Sequence, residues 1–325
     1  MRTGPKTPIP RSQRNDVIRD YQEGQIALAE ALSLLNGTSQ RTADTTPRIT
    51  KQRLSALLGD LDALVGLEEV KSTVRQVFAF LYMQERRRQS HLKTEPVVLH
   101  MVFTGNPGTG KTTVARLLAS LFHECGLLSK GHLVEVERAD LVGEYIGHTA
   151  QKTREHIKSA LGGVLFIDEA YSLARGGEKD FGREAIDCLV KGMEDYRNQF
   201  IAIIAGYEDE MEWFLSTNPG LPSRFPIHLK FPDYSVTALL GIARQMATER
   251  QYRFSVEAEA KLRHELQRLR TDTLRSSAFS NARWVRNMLE ATIRQHALRL
   301  FDAPDPSREA MVTLEAADLV WGGTV

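Results

Sequence analysis

Apolar residues change their spacing twice along the chain. Between residues 53 and 231, short apolar runs recur at regular intervals: Val97–Thr104, Leu133–Val136, Gly163–Ile167, Phe200–Ala205 and Ile227–Phe231. Each of the first four leads into a polar or glycine-rich turn and then into apolar positions at helical spacing. Short apolar strands alternating with helices predict a parallel sheet covered on both faces. Ligands then sit at the carboxyl ends of the strands. After Pro232-Asp233 the strand-like runs stop. Ser235–Arg250, Val256–Leu269 and Asn281–Leu300 carry helical spacing and predict a second, all-helical unit. A helical region also runs through Val70-Lys71 to Arg88.

The segment before residue 53 has a different texture. Residues 1–14 hold three prolines and no acidic residue and read as a tail. From Asn15 to Leu35, the spacing of Val17, Ile18, Tyr21, Leu28, Leu32 and Leu35 predicts an amphipathic helix that ends at Asn36-Gly37. Residues 37–50, rich in Thr, Ser and Arg, read as a linker. This helix either packs on its own domain or serves a partner. The expected organisation is a tail, helix and linker over 1–52, an α/β domain over 53–233 and a helical domain over 234–325.

Composition narrows the classes. With 325 residues, the chain is long enough for two domains at roughly 100–200 residues each. Its 42 basic residues meet 41 acidic ones, for a net charge of +1. A protein built to coat nucleic acid carries a basic excess. The balance therefore argues against nucleic acid as a partner, although Arg86–Arg88 and the stretch from Lys261 to Arg299 are locally basic. The two cysteines, Cys125 and Cys188, stand outside any CxxC spacing, which predicts a cytoplasmic chain without disulfides. The basic N-terminus is followed by no apolar stretch, so neither a secretory signal nor a membrane anchor is expected.

The first apolar run feeds directly into Gly105-Asn106-Pro107-Gly108-Thr109-Gly110-Lys111-Thr112, and Thr113–Phe122 continues at helical spacing. This is GxxxxGK[ST] between a strand and a helix, the phosphate loop of P-loop NTPases. Glycines let backbone N–H groups converge on phosphate oxygens, and the helix N-terminus adds its positive end. Lys111 can reach the β- and γ-phosphates, and the Thr112 hydroxyl can ligate Mg²⁺. The third run ends in Asp168-Glu169. A carboxylate there can hold hydrated Mg²⁺, which prefers oxygen ligands, and its neighbour can polarise a water for attack on the γ-phosphate. The pair favours hydrolysis over phosphoryl transfer to a small molecule.

At these residues the sequence resembles the AAA+ ATPases, over about residues 60–320. Within them it is most similar to the group that contains stage V sporulation protein K and the red-type Rubisco activases, and to its sporulation-type members. The stretches that carry the likeness are LVGLEEVK (64–71), GNPGTGKTTVARLL (105–118), ADLVGEYIGHTAQKT (139–153), LFIDEAYSLARGGEKDFGREAID (165–187), IIAGYEDEM (203–211), NPGLPSRFP (218–226) and NARWVRNMLE (281–290). The resemblance implies ATP and Mg²⁺ as cofactors and a homo-oligomeric ring, a hexamer, acting on a protein client. It places Leu64, Val65 and Gly66 against adenine. Arg224 becomes a finger reaching the γ-phosphate of the neighbouring subunit, a role suited to a planar guanidinium. Pro222 stands where many relatives have another arginine. Arg283 becomes the lid arginine that contacts nucleotide, with Arg286, one turn on, as its competitor. Tyr207 follows the fourth run, where relatives often have Asn. Its hydroxyl orients water or its ring packs.

The loop Glu144-Tyr145-Ile146-Gly147 is implied to face the pore of the ring. Tyr offers a large surface with few rotatable bonds, and Gly lets the loop move. Tyr145, Ile146 and Gly147 would grip a polypeptide without regard to its sequence. Arg175–Asp180 forms either a second pore loop or a solvated turn. The reading that follows is a protein remodeller powered by ATP. Its alternatives are a Rubisco activase-like remodeller of a metabolic enzyme, a nucleic-acid-associated ATPase and an ATP switch that only binds.

Overall fold

The computed structural model describes residues 19, 51–95, 97–143, 145, 147–176, 180–271, 279–301 and 304–321. Apart from residue 19, the helix expected over 15–35 and its linker lie outside these residues, as do Glu144, Ile146 and 177–179. The chain divides into two compact units, and the elements below belong to the second, Ile49–Val325.

Helices α1 (Lys51–Asp62) and α2 (Glu68–Gln89) precede the sheet. Glu68 and Glu69 open α2 and Arg86, Arg87 and Arg88 close it, each set complementing the helix dipole. Val70, Val74, Phe78 and Leu81 form its buried stripe. Lys71 is buried as well. Its ammonium donates to the carbonyls of Leu64 (2.7 Å) and Asp62 (3.3 Å) and pairs with Glu68 (3.3 Å), which secures the turn between the helices.

Strand β1 (Met101–Gly105) leads into α3 (Lys111–Glu124). Next come β2 (Leu133–Val136), the one-turn α4 (Arg138–Leu141), α5 (His148–Ser159) and β3 (Val164–Ile167). A short 3-10 helix, Ala170–Ala174, and α6 (Gly182–Asp195) separate β3 from β4 (Ile201–Gly206). Helices α7 (Glu208–Thr217) and α8 (Leu221–Arg224) precede β5 (Ile227–Phe231). All neighbouring strands pair in parallel, in the order β2-β3-β4-β1-β5. The expected α/β sheet flanked by helices is therefore present.

Alternation along each strand divides the core in two. Met101, Phe103 and Ile203 face α2 and α3, where Phe78 stacks on Phe122 at 5.1 Å. Val102, Leu165, Ile167 and Ile204 face the other way, against Ile157, Ile186, Leu189 and Phe214. Strand β1 starts four residues later than its apolar run. At its edge the His100 side chain intervenes: Ala202 N–H donates to His100 Nδ1 (2.9 Å) rather than to a main-chain carbonyl.

The remaining elements form a helical lid: α9 (Val236–Glu249), α10 (Val256–Thr271), α11 (Asn281–Phe301) and α12 (Arg308–Val312). Ser235 caps α9 by accepting from Ala238 N–H (3.1 Å). One detail departs from an all-helical reading. Strands β6 (Arg253–Phe254) and β7 (Thr313–Leu314) form a two-residue parallel ladder. Such a pair is too short to leave an alternating pattern in the sequence.

Candidate active site

A cavity of about 420 Å³ opens at the carboxyl ends of β1, β3 and β4, between the sheet and the lid. Gly105, Pro107, Gly108, Gly110, Lys111, Thr112 and Thr113 line it on the β1 side, and Asp168 and Glu169 on the β3 side. Strand β4 lies between them and contributes Gly206 and Tyr207. The parallel register thus brings together two motifs that lie far apart in the sequence.

The loop needs glycine for physical reasons. At Gly108 (φ +70°) an added Cβ would lie 2.0 Å from the Ser280 carbonyl oxygen. At Gly105 (φ +148°) it would lie 2.2 Å from the Phe231 oxygen. Lys111 folds over the loop and donates to the Gly105 (2.7 Å) and Asn106 (2.9 Å) carbonyls. Burial pulls the Lys111 pKa below its ordinary value. Asp168 opposes that shift, Arg283 adds to it and Glu169 opposes it.

Two residues of the loop do not face the cavity. Thr109 is fully buried and donates from its hydroxyl to the Asn106 carbonyl (2.7 Å). Asn106 turns its amide to Asp233 (3.0 Å). They shape the loop rather than line it.

Asp168 is half-buried, and its carboxylate accepts the Glu169 N–H (3.0 Å). Glu169 is exposed to the cavity and holds left-handed backbone (φ 46°, ψ 43°). Tyr207 lines the cavity while its ring lies 6.0 Å from Tyr171. Leu64 and Val65 line the far end, opposite Ile242, Gln245, Met246 and Glu249 of α9. Gly66 does not line it. It turns the chain at φ +70°, where an added Cβ would come within 3.4 Å of the Tyr234 ring.

Arg283 and Arg286 both project from α11 to the cavity. Arg283 is the one whose charge acts on Lys111. The cations of Lys111, Arg283 and Arg286 around a glycine loop fit a polyphosphate, and the Thr112 hydroxyl and Asp168 carboxylate offer the oxygen donors Mg²⁺ prefers.

Arg224 is not among the lining residues. It lies in α8, where its guanidinium donates to the Gly220 carbonyl (2.9 Å) and pairs with Glu194 of α6. Tyr145 is 65% exposed, with its ring edge-on to His148 at 5.4 Å, so it is no core residue. Gly147 follows it at φ +85° in open space. Arg138, which opens α4, clamps Asp180 with two hydrogen bonds (2.7 and 2.8 Å) and donates to the Ser172 carbonyl (2.6 Å). Burial would raise the Asp180 pKa, but Arg138 and the Gly182 N–H hold it below the usual range.

The sequence reading missed the parts that join lid to loop. Tyr234 O–H donates to the Thr109 carbonyl (2.9 Å), and burial pushes its pKa up to about 12. Asn281, fully buried, bonds Asp233 and the Tyr234 N–H. The apolar and acidic residues of α9 that face Val65 carried no motif that would mark them.

Residues 101–233 match the model of the ATPase family associated with various cellular activities (AAA), and residues 235–323 match that of the AAA lid domain. The chain is 56% identical over 260 residues to stage V sporulation protein K of Bacillus subtilis, covering 80% of each protein. It is 43% identical to the chloroplastic ribulose bisphosphate carboxylase/oxygenase activase of Cyanidioschyzon merolae, covering 87% of this chain and 97% of that protein. It is 48% identical to protein CbbX of Cereibacter sphaeroides, covering 76% and 79%. Among solved structures, the RuvB Holliday junction branch migration motor of Thermotoga maritima shares the fold, with a TM-score of 0.52, 20% identity and coverage of 79% of this chain and 68% of that one. A glycine loop, a carboxylate pair and a lid around one cavity thus stand in a chain that belongs to the AAA+ ATPases, an AAA domain followed by an AAA lid domain.

Proposed function

We propose that the chain hydrolyses ATP to remodel a protein client, as a cytoplasmic homo-oligomeric ring, a hexamer, of the stage V sporulation protein K type. Its working parts are residues 53–233 and 234–325, with 1–52 as an appendage. The observation that carries this reading is the division of the ionic groups. Lys111, Asp168, Glu169 and Arg283 meet at one cavity, whereas Arg224 is tied to Glu194 outside it. A finger that does not line its own chain's cavity is available to a neighbour's.

Lys111 and the loop N–H groups bind the β- and γ-phosphates, and Leu64 and Val65 face the base. Thr112 and Asp168 would hold Mg²⁺, which when bound would offset the negative charge of the phosphates. Glu169 orients water and accepts its proton. Arg283 contacts the phosphates from the lid, and the neighbour's Arg224 stabilises charge in the transition state. Tyr145, with Ile146 and Gly147, grips the client, and movement of the lid against the sheet pulls on it.

Replacement Glu169→Gln should lower ATP turnover by about a hundredfold or more and leave nucleotide binding in place. The trapped ring should then retain its client in a pull-down. Full turnover in this variant would contradict the assignment. A second reading is favoured by the relative named as a Rubisco activase: the client is a metabolic enzyme. Stimulation of ATPase activity by Rubisco and a sugar bisphosphate would select it.

A further inference from the structure

Asn281 occupies an unusual position. It is the first residue of α11, is fully buried and holds left-handed backbone (φ 48°). Its amide uses both ends. The Oδ1 accepts the Tyr234 N–H (3.1 Å), and the Nδ2 donates to Asp233 Oδ1 (2.8 Å) and reaches the Pro107 carbonyl (3.4 Å). Asp233 Oδ1 also accepts from Asn106 Nδ2 (3.0 Å). The next residue, Ala282, donates its N–H to the Gly108 carbonyl (3.1 Å).

The first turn of a helix leaves N–H groups without partners inside the helix. Here the phosphate loop supplies a carbonyl for one of them. The loop therefore caps the lid helix, and Gly108 permits this close approach because it has no Cβ, which would lie 2.0 Å from the Ser280 carbonyl oxygen. Arg283 is two residues on from the clasp.

We propose that Asn281 is a positioning residue that couples the phosphate loop to the lid. Its amide ties the loop (Asn106 through Asp233, and Pro107 directly) to the helix that carries Arg283. A change in the loop on nucleotide binding is thereby transmitted to α11. This rests on the cavity being the nucleotide site, so ADP binding by the parent chain is measured first. Its absence would remove that reading, whereas the variants below address the clasp alone.

The polarity of the amide makes the test specific. In Asn281→Asp the side chain can no longer donate and sets one carboxylate against another, that of Asp233. The Kd for a fluorescent ADP analogue should rise about tenfold, and hydrogen exchange over 281–301 should lose its ADP-dependent protection. The exchanged pair Asp233→Asn with Asn281→Asp removes the facing carboxylates and restores a donor facing an acceptor, at the cost of the oxygen that Asn281 and Asn106 share. It should recover part of the affinity and of the protection. Asp233→Asn alone retains every acceptor in use and should bind within about twofold of the parent. If Asn281→Asp binds like the parent, or if the exchanged pair stays as weak as Asn281→Asp, the proposal is overturned.

Discussion

Glu169 and His100 illustrate what single side chains contribute. Left-handed backbone in a residue other than glycine costs about 1–3 kcal/mol and is kept where surrounding structure over-determines it. At Glu169 that conformation turns the carboxylate into the cavity while the N–H stays bonded to Asp168. His100 lies against Phe200 and Phe225, and burial pulls its pKa down to about 4 from 6.5. As pH falls below 6.5 the unfolded chain takes up a proton that the folded chain refuses until about 4. Stability should therefore decline across that window, by ~3 kcal/mol from this residue when complete. His100→Asn keeps an acceptor for Ala202 without a titrating group. Denaturant unfolding at several pH values should show a shallower acid decline for it; an unchanged decline would contradict the assignment. Lys111, Asp168 and Glu169 were legible as residues because short motifs carry their chemistry. Asn281 and Asp233 were not, because their role depends on partners 48 residues apart or, for Pro107 and Asn281, 174 apart.

Among the elements, the parallel strands were legible because burial on both faces leaves continuous apolar runs. The run at 97–104 overstated β1, since His100 uses a side chain where a ladder would use a carbonyl. The order of strands was not legible, since apolar runs do not say which neighbour each strand pairs with. Arg138, which opens α4 ahead of Tyr145, is clamped to Asp180, which lies beyond Arg175. On this account the exposed Tyr145 acts on the client and not on ATP. Tyr145→Ala should leave ATP turnover within about twofold of the parent while abolishing remodelling of the client retained by Glu169→Gln. Remodelling at the parent rate would remove the gripping role.

For the whole molecule, the charge balance acquires a local explanation. Among the lid's arginines, Arg244 is ion-paired with Glu259, Arg268 with Glu265, Arg250 with Glu290 and Arg299 with Asp318. Burial would raise the Asp318 pKa, yet Arg299 and the Glu315 N–H hold it below the usual range. Within the basic stretch Arg263 and Arg268 pair with Glu259 and Glu265, Arg299 pairs with Asp318, and Arg283 and Arg286 face the cavity. The larger consequence concerns assembly. On the proposed function, one chain supplies every part of the site except the finger, since its own Arg224 lies outside the cavity, tied to Glu194. The most direct test of a shared site mixes two inactive variants. Arg224→Ala keeps Glu169, and Glu169→Gln keeps Arg224. If sites are completed between subunits, equal mixing should restore roughly a quarter of parental ATP turnover, the share of random interfaces that hold both groups. A mixture no more active than either variant alone would contradict the account.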